Sequence, residues 1–220
     1  MSVPEEVQSY LGELVARLSS VLDDRLIGVY VIGGLAFDDY RPGSSDLDVY
    51  VVVQSPLEQH QKLSVANCCS HRKLPCPARR LELVVVSVRA ARRRSAAPQW
   101  ELNLNTGPRQ LDHVGLDPGA EPSHWFVVDL AIAHERGIAL LGPPAHKLIA
   151  APKAADVRTA LAEVVAWYAH NELGEDAVTA ACRAWHRLET GRFASKREAL
   201  RWATQRLYRC TRWRDPPSER

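Results

Sequence analysis

Apolar residues near the start of the chain, Val7, Leu11, Leu14, Val15, Leu18 and Leu22, recur with the spacing of one helix face and predict an amphipathic helix over residues 4–22. Two continuous apolar runs follow at residues 26–32 and 47–53, bounded by glycine and polar residues; their shortness suits strands. Residues 57–70 return to an amphipathic helical pattern, ended by the turn Pro75-Cys76-Pro77. Residues 81–88 read as a third strand, rich in the β-branched side chains that suit a pleated, half-buried surface. The pattern then loosens around Pro98, Pro108, Pro118 and Pro122, with one further short strand at residues 100–104. Residues 125–134 are helix-like, 139–141 extended, and Gly142-Pro143-Pro144 marks a break. Three helices are expected beyond it, at 156–170, 173–189 and 195–208, the last with Ser195 as N-cap and Glu198 three residues on.

These elements describe an α/β (α+β) chain without internal repeats. A small mixed sheet with flanking helices occupies residues 1–145, a helical bundle residues 146–214, and a disordered tail residues 215–220, where Asp215-Pro216-Pro217-Ser218 has nothing to bury.

The segment joining the first two strands carries the chemistry. Gly33-Gly34 opens a turn into a short helix, and Asp46 and Asp48 stand at the start of the next strand. Residues i and i+2 of a strand share a face, so the two carboxylates project together while Leu47 and Val49 point the other way. Paired anions suit a divalent cation, because Mg²⁺ takes one or two carboxylates together with substrate phosphate oxygens. Glycines let backbone N–H groups approach a phosphate tail closely. Glu82 interrupts the apolar third strand, where burial is costly unless the carboxylate has a partner. Placed beside Asp46 and Asp48, it would be a general base for an attacking hydroxyl.

The stretch GGLAFDDYRPGSSDLDVYVVV resembles the Gly-Ser, spacer, Asp-x-Asp signature of the DNA polymerase beta-like nucleotidyltransferases. Together with DLAIAHERGIALLGPPAHKL and ACRAWHRLETGRFASKREALRWA it is similar to the aminoglycoside adenylyltransferases of the streptomycin/spectinomycin type, over about residues 26 to 207. The resemblance implies a polymerase beta-like first domain, with Asp46 and Asp48 as magnesium ligands and Glu82 as base. It places Gly33, Gly34, Ser45, Arg183 and Lys196 at the nucleotide, the last two on its phosphates. Glu101 matches a family glutamate near the acceptor. The chain departs from the pattern twice: Gly34 replaces the usual serine, and Asn105-Thr106-Gly107 occupies the place of an aromatic residue.

Composition constrains the remaining possibilities. With 46% apolar and 25% charged residues, the 220-residue chain can bury an ordinary core, and it has no run of membrane-spanning length. Its acidic start lacks the basic and apolar regions of a signal peptide, and five cysteines, an odd number, point to reduced thiols, so a cytoplasmic location is expected. Cys68, Cys69, His71 and Cys76 fit no zinc spacing. Net charge is +2, and the arginine runs at 89–94 and 196–214 read as solvated faces without a nucleic-acid motif. Glu172, Glu175 and Asp176 could face a cationic acceptor or simply favour a helix N-terminus.

The expectation is a monomeric, Mg²⁺-dependent enzyme that moves AMP from ATP to a hydroxyl of an aminoglycoside or similar small molecule and releases pyrophosphate. A transferase acting on a tRNA or protein hydroxyl, motivated by the basic stretches, and a non-catalytic nucleotide-binding relic, motivated by Gly34, are the alternatives.

Overall fold

The computed structural model describes residues 3–172 and 174–212. The expected tail at 215–220 and the expected helix start at 173 lie outside them. The chain divides into two compact units, Met1–Ala160 and Leu161–Arg220, a division later than the expected one after residue 145.

In the first unit α1 (Glu5–Leu22) leads to β1 (Leu26–Ile32), α2 (Gly33–Ala36), β2 (Leu47–Val53), α3 (Gln59–Cys69), β3 (Leu81–Ser87), α4 (Val88–Arg92), β4 (Leu102–Thr106), β5 (His113–Gly115), α5 (Ser123–Arg136), β6 (Ile138–Leu141) and α6 (Ala145–Leu148). The strands form one mixed sheet in the order β5-β4-β3-β2-β1-β6. Among the described residues only β2 and β3 run parallel, joined by the crossover that carries α3; the other neighbours are antiparallel.

Alternation along the strands sorts the side chains. Val29, Val31, Leu47, Val49, Val51, Leu81, Leu83 and Val85 join the α1 stripe of Val7, Leu11, Leu14 and Leu18 and the α3 residues Val65, Ala66 and Cys69 in one core. Because Leu47 and Val49 are committed to that core, Asp48 and Tyr50 face the opposite side, as do Glu82 and Val84 on β3. There α5 packs on β1, and α4 on β2 and β3.

Local chemistry explains where the elements depart from the apolar pattern. β3 stops at Ser87, whose hydroxyl accepts from the Ala90 N–H at 3.3 Å and opens α4, a helix the sequence pattern does not announce. α3 starts at Gln59 because Glu58 and Gln61 form a reciprocal capping box. β4 begins two residues later than expected: Trp100 leaves the ladder to stack on Phe126 at 5.3 Å, and only the Glu101 N–H reaches back to Val85 O, at 2.7 Å.

Helix α7 (Ala154–Asn171) runs from the first unit into the second, which continues with α8 (Glu175–Thr190) and α9 (Lys196–Arg212). Gly191, at φ +72°, ends α8 in the left-handed conformation that glycine adopts without strain. The Ser195 hydroxyl caps α9 by accepting from the Glu198 N–H at 3.1 Å. Trp185 and His186 of α8 meet Trp202 of α9 at 5.0 and 5.1 Å, fixing that pair of amphipathic helices face to face.

Candidate active site

β2 and β3 start side by side, and this parallel start builds the site. Asp48 is in register with Glu82, and Leu47 with Leu81. The pairing extends upstream of both strands: the Leu47 N–H donates to Arg80 O at 2.9 Å, and the Arg79 N–H to Ser45 O at 3.1 Å. Asp46 and Glu82 are thereby drawn to one place, with Asp48 beside Glu82 in the register. The Ser45 hydroxyl, instead of facing outward, accepts from the Arg41 N–H at 2.9 Å and closes the loop that precedes the carboxylates.

Gly33 makes the close approach that the glycine pair suggests. Its φ is +61°, and a Cβ there would fall 1.7 Å from Asp48 Oδ2, so the carboxylate lies directly against glycine backbone. Gly34 is different. A Cβ would meet only ordinary contacts, Tyr40 Cα at 3.7 Å and Ser45 Oγ at 3.8 Å, so the backbone has room for a Cβ there.

Two guanidiniums that the sequence reading did not single out pair with Asp46 and Glu82. Arg79 grips Asp46 with two hydrogen bonds, Nε to Oδ1 at 2.7 Å and Nη2 to Oδ2 at 2.6 Å. Arg80 Nε lies 3.3 Å from Asp46 Oδ2 while its Nη2 pairs with Glu82 Oε1, so one side chain spans both carboxylates. The available signal is the dipeptide Arg79-Arg80 immediately before β3, which a parallel neighbour would carry to the start of β2. Burial pushes the Glu82 carboxyl above the usual carboxylate range; Arg80 pulls it down and Asp46 pushes it up. Beneath the cluster the phenol of Tyr50 is fully buried and makes no hydrogen bond; burial raises its pKa, and Asp129, Asp48 and Glu82 add to the rise. Three carboxylates therefore share one field at this point.

The donor set suits a hard divalent cation, because every ligand it offers is a carboxylate oxygen. Among the described residues no group of three acidic, histidine or cysteine side chains stands ready as a closed cage; a divalent cation at Asp46 and Asp48 would have to take further ligands from phosphate and water.

A polar row continues across the sheet from Asp48 and Glu82. Asn105 on β4 is in register with Glu82, and His113 on β5 with Asn105. Glu121 ties this row together, accepting from Asn103 Nδ2 at 2.6 Å and meeting His113 Nε2 at 3.0 Å. Asn105 belongs to the Asn105-Thr106-Gly107 segment expected in place of an aromatic residue, and only the register reveals that it adjoins Glu82. Glu101 is elsewhere: its buried carboxylate accepts from the Leu57 N–H at 3.2 Å and pairs with Lys62 at 3.1 Å, tying β4 to the start of α3.

In the second unit Arg183 Nε donates to Ala194 O at 3.2 Å, and Lys196 pairs with Asp176 at 2.6 Å across the starts of α9 and α8. Glu175 lies beside Asp176 in the first turn of α8, where the helix dipole favours anions, and Glu172 follows the end of α7 with an exposed side chain.

No protein-family model matches the chain. Curated relatives do: the aminoglycoside (3'')(9) adenylyltransferases of Shigella flexneri and Escherichia coli are each 25% identical over 222 aligned positions, covering 94% of this chain and 81% of theirs. The chain resembles aminoglycoside adenylyltransferases over most of its length. The one from Klebsiella pneumoniae gives the same identity and coverage. Among solved structures, the spectinomycin adenyltransferase AAD(9) from Enterococcus faecialis, determined with ATP and spectinomycin, superposes with a TM-score of 0.67 at 19% identity, over 88% of this chain and 80% of that one. The fold is thus that of an adenylyltransferase of this type, as the sequence motifs imply, and the aminoglycoside adenylyltransferase resemblance read from those motifs extends over 94% of the chain.

Proposed function

We propose that the protein is an adenylyltransferase that moves AMP from ATP to a hydroxyl of an aminoglycoside, releasing pyrophosphate and inactivating the antibiotic. The observation that carries this reading is the parallel register of Asp48 with Glu82, joined by Asp46 through Arg80, in a chain similar over most of its length to enzymes of that activity. Asp46 and Asp48 would hold Mg²⁺, which when bound neutralises the charge that builds on the transferring phosphate. Glu82 takes the proton from the acceptor hydroxyl, and its raised pKa makes it a stronger base than an ordinary carboxylate. The Gly33-Gly34 turn receives the phosphate tail through backbone N–H groups, and Arg183 and Lys196 supply cations to the nucleotide. The Asn105–His113 row beside Glu82 offers hydrogen-bonding groups to a hydroxyl-rich acceptor, in place of the stacking surface an aromatic residue would provide.

The test is turnover. The full chain with ATP, Mg²⁺ and either streptomycin or spectinomycin should release pyrophosphate and give an adenylylated drug detectable by mass. Glu82→Gln should lower kcat by about 10²- to 10⁴-fold while the ATP dissociation constant stays nearly constant. Full turnover in that variant would remove Glu82 as base.

A further inference from the structure

Arg80 is held in place more firmly than an ordinary surface arginine. Its carbonyl accepts the Leu47 N–H at 2.9 Å, which locks its backbone beside the start of β2. Gly107 presses on it from the other side: a Cβ at Gly107 would fall 2.8 Å from Arg80 Cβ and 2.7 Å from Arg79 O, so only glycine leaves room for this dipeptide. From that anchor the guanidinium reaches both Asp46 and Glu82, and two-thirds of its side-chain surface is covered, its exposure being 34%.

The two bonds of this bridge are unequal. Arg80 Nη2 makes a tight pair with Glu82, but Nε, although buried and within 3.3 Å of Asp46, makes no hydrogen bond to it. Arg79, by contrast, meets Asp46 in a two-pronged fork. The contact between Arg80 and Asp46 is a charge contact without directional bonding, and so the weakest link of the cluster. A cation of higher charge that takes Asp46 would displace this link first.

We propose that Arg80 is a positioning residue that acts as a built-in counter-ion. It keeps Asp46 and Glu82 together against their mutual repulsion, and it competes with the divalent cation for Asp46. Cation binding at Asp46 and release of the guanidinium from Asp46 become one coupled event, which leaves Glu82 as the side chain's remaining carboxylate partner. This rests on the proposed function for the identity of base and cation, but the competition itself is a property of the folded chain.

It can therefore be measured without nucleotide or turnover. Titration of the full chain with MgCl₂ alone, by calorimetry and by thermal denaturation, should show Arg80→Gln binding Mg²⁺ about tenfold more tightly than the wild type, because one competing positive charge is gone. The same variant should melt lower than the wild type in EDTA and recover more of its melting temperature when Mg²⁺ is added. Arg80→Lys, which keeps the charge but cannot fork, should bind Mg²⁺ with intermediate affinity and serves as the decisive variant if the glutamine protein does not fold. Equal or weaker Mg²⁺ binding in both variants would overturn the proposal. If no variant, nor the wild type, releases pyrophosphate with any aminoglycoside, the transferase reading fails while the cation titration still decides the role of Arg80.

Discussion

At the scale of single residues, Glu82 shows how one carboxylate can be both exposed to chemistry and held out of its usual range. Burial raises its pKa above the ordinary 4.5, with Arg80 opposing and Asp46 assisting. A carboxyl whose pKa is higher in the fold than in the unfolded chain binds more protons when folded. Its contribution to stability is then fully present below the unfolded value and is lost as pH rises through the folded value. Glu82→Gln removes this loss. The melting temperature of the variant relative to wild type should be constant below about pH 4 and move in the variant's favour between there and neutrality; a difference that stays flat across that range would show that Glu82 titrates normally. The glutamate was visible in the sequence as a polar break in an apolar strand. The arginines that set its charge were not, because only the parallel register brings Arg79 and Arg80 to Asp46.

At the scale of elements, the turn from β1 into α2 separates two glycines that look alike in the sequence. Gly33 has a positive φ and the Asp48 carboxylate where its Cβ would be; Gly34 has neither. Gly33→Ala should therefore destabilise the fold by roughly 1–3 kcal/mol and abolish turnover, since the backbone and Asp48 must both shift. Gly34→Ser should leave the melting temperature unchanged and lower KM for ATP by restoring a hydroxyl donor to the phosphate tail. Circular dichroism melts with steady-state kinetics on both variants check the pair, and a Gly34→Ser protein that melts much lower would contradict the space seen around that residue. The apolar pattern located β1 and β2 to the residue, since a run of buried valines ends where glycine or polar residues begin. It misplaced the start of β4 and passed over α4 and β5, because Ser87, Trp100 and the edge pairing of His113–Gly115 are decided by side-chain partners distant in sequence.

At the scale of the molecule, the charges of the second unit test whether a surface ion pair is functional. Lys196 and Asp176 are both substantially exposed, at 55% and 39%, so breaking their pair should change stability by less than about 1 kcal/mol whichever partner is removed. The two variants should differ when ligand is present. Lys196→Ala should shrink the rise in melting temperature produced by Mg-ATP, whereas Asp176→Ala should preserve or enlarge it, because freeing the lysine leaves it available to phosphate. Identical ligand responses would return Lys196 to the role of a helix-end charge. Across the described residues no helix is long and apolar enough to cross a membrane.

The linear chain by itself determined β1, β2 and β3, the long helices, the glycine turn and the acidic residues of the site, since apolar periodicity and turn chemistry act over a few neighbours. The tertiary structure alone decided that β2 and β3 run parallel and in register, that Arg80 spans Asp46 and Glu82, that Asn105 adjoins Glu82, and that Glu101 is occupied with Lys62. Each of these is a contact between segments far apart along the chain. Which partner a strand edge or a buried charge takes is settled by the whole core closing at once, not by the residues on either side of it.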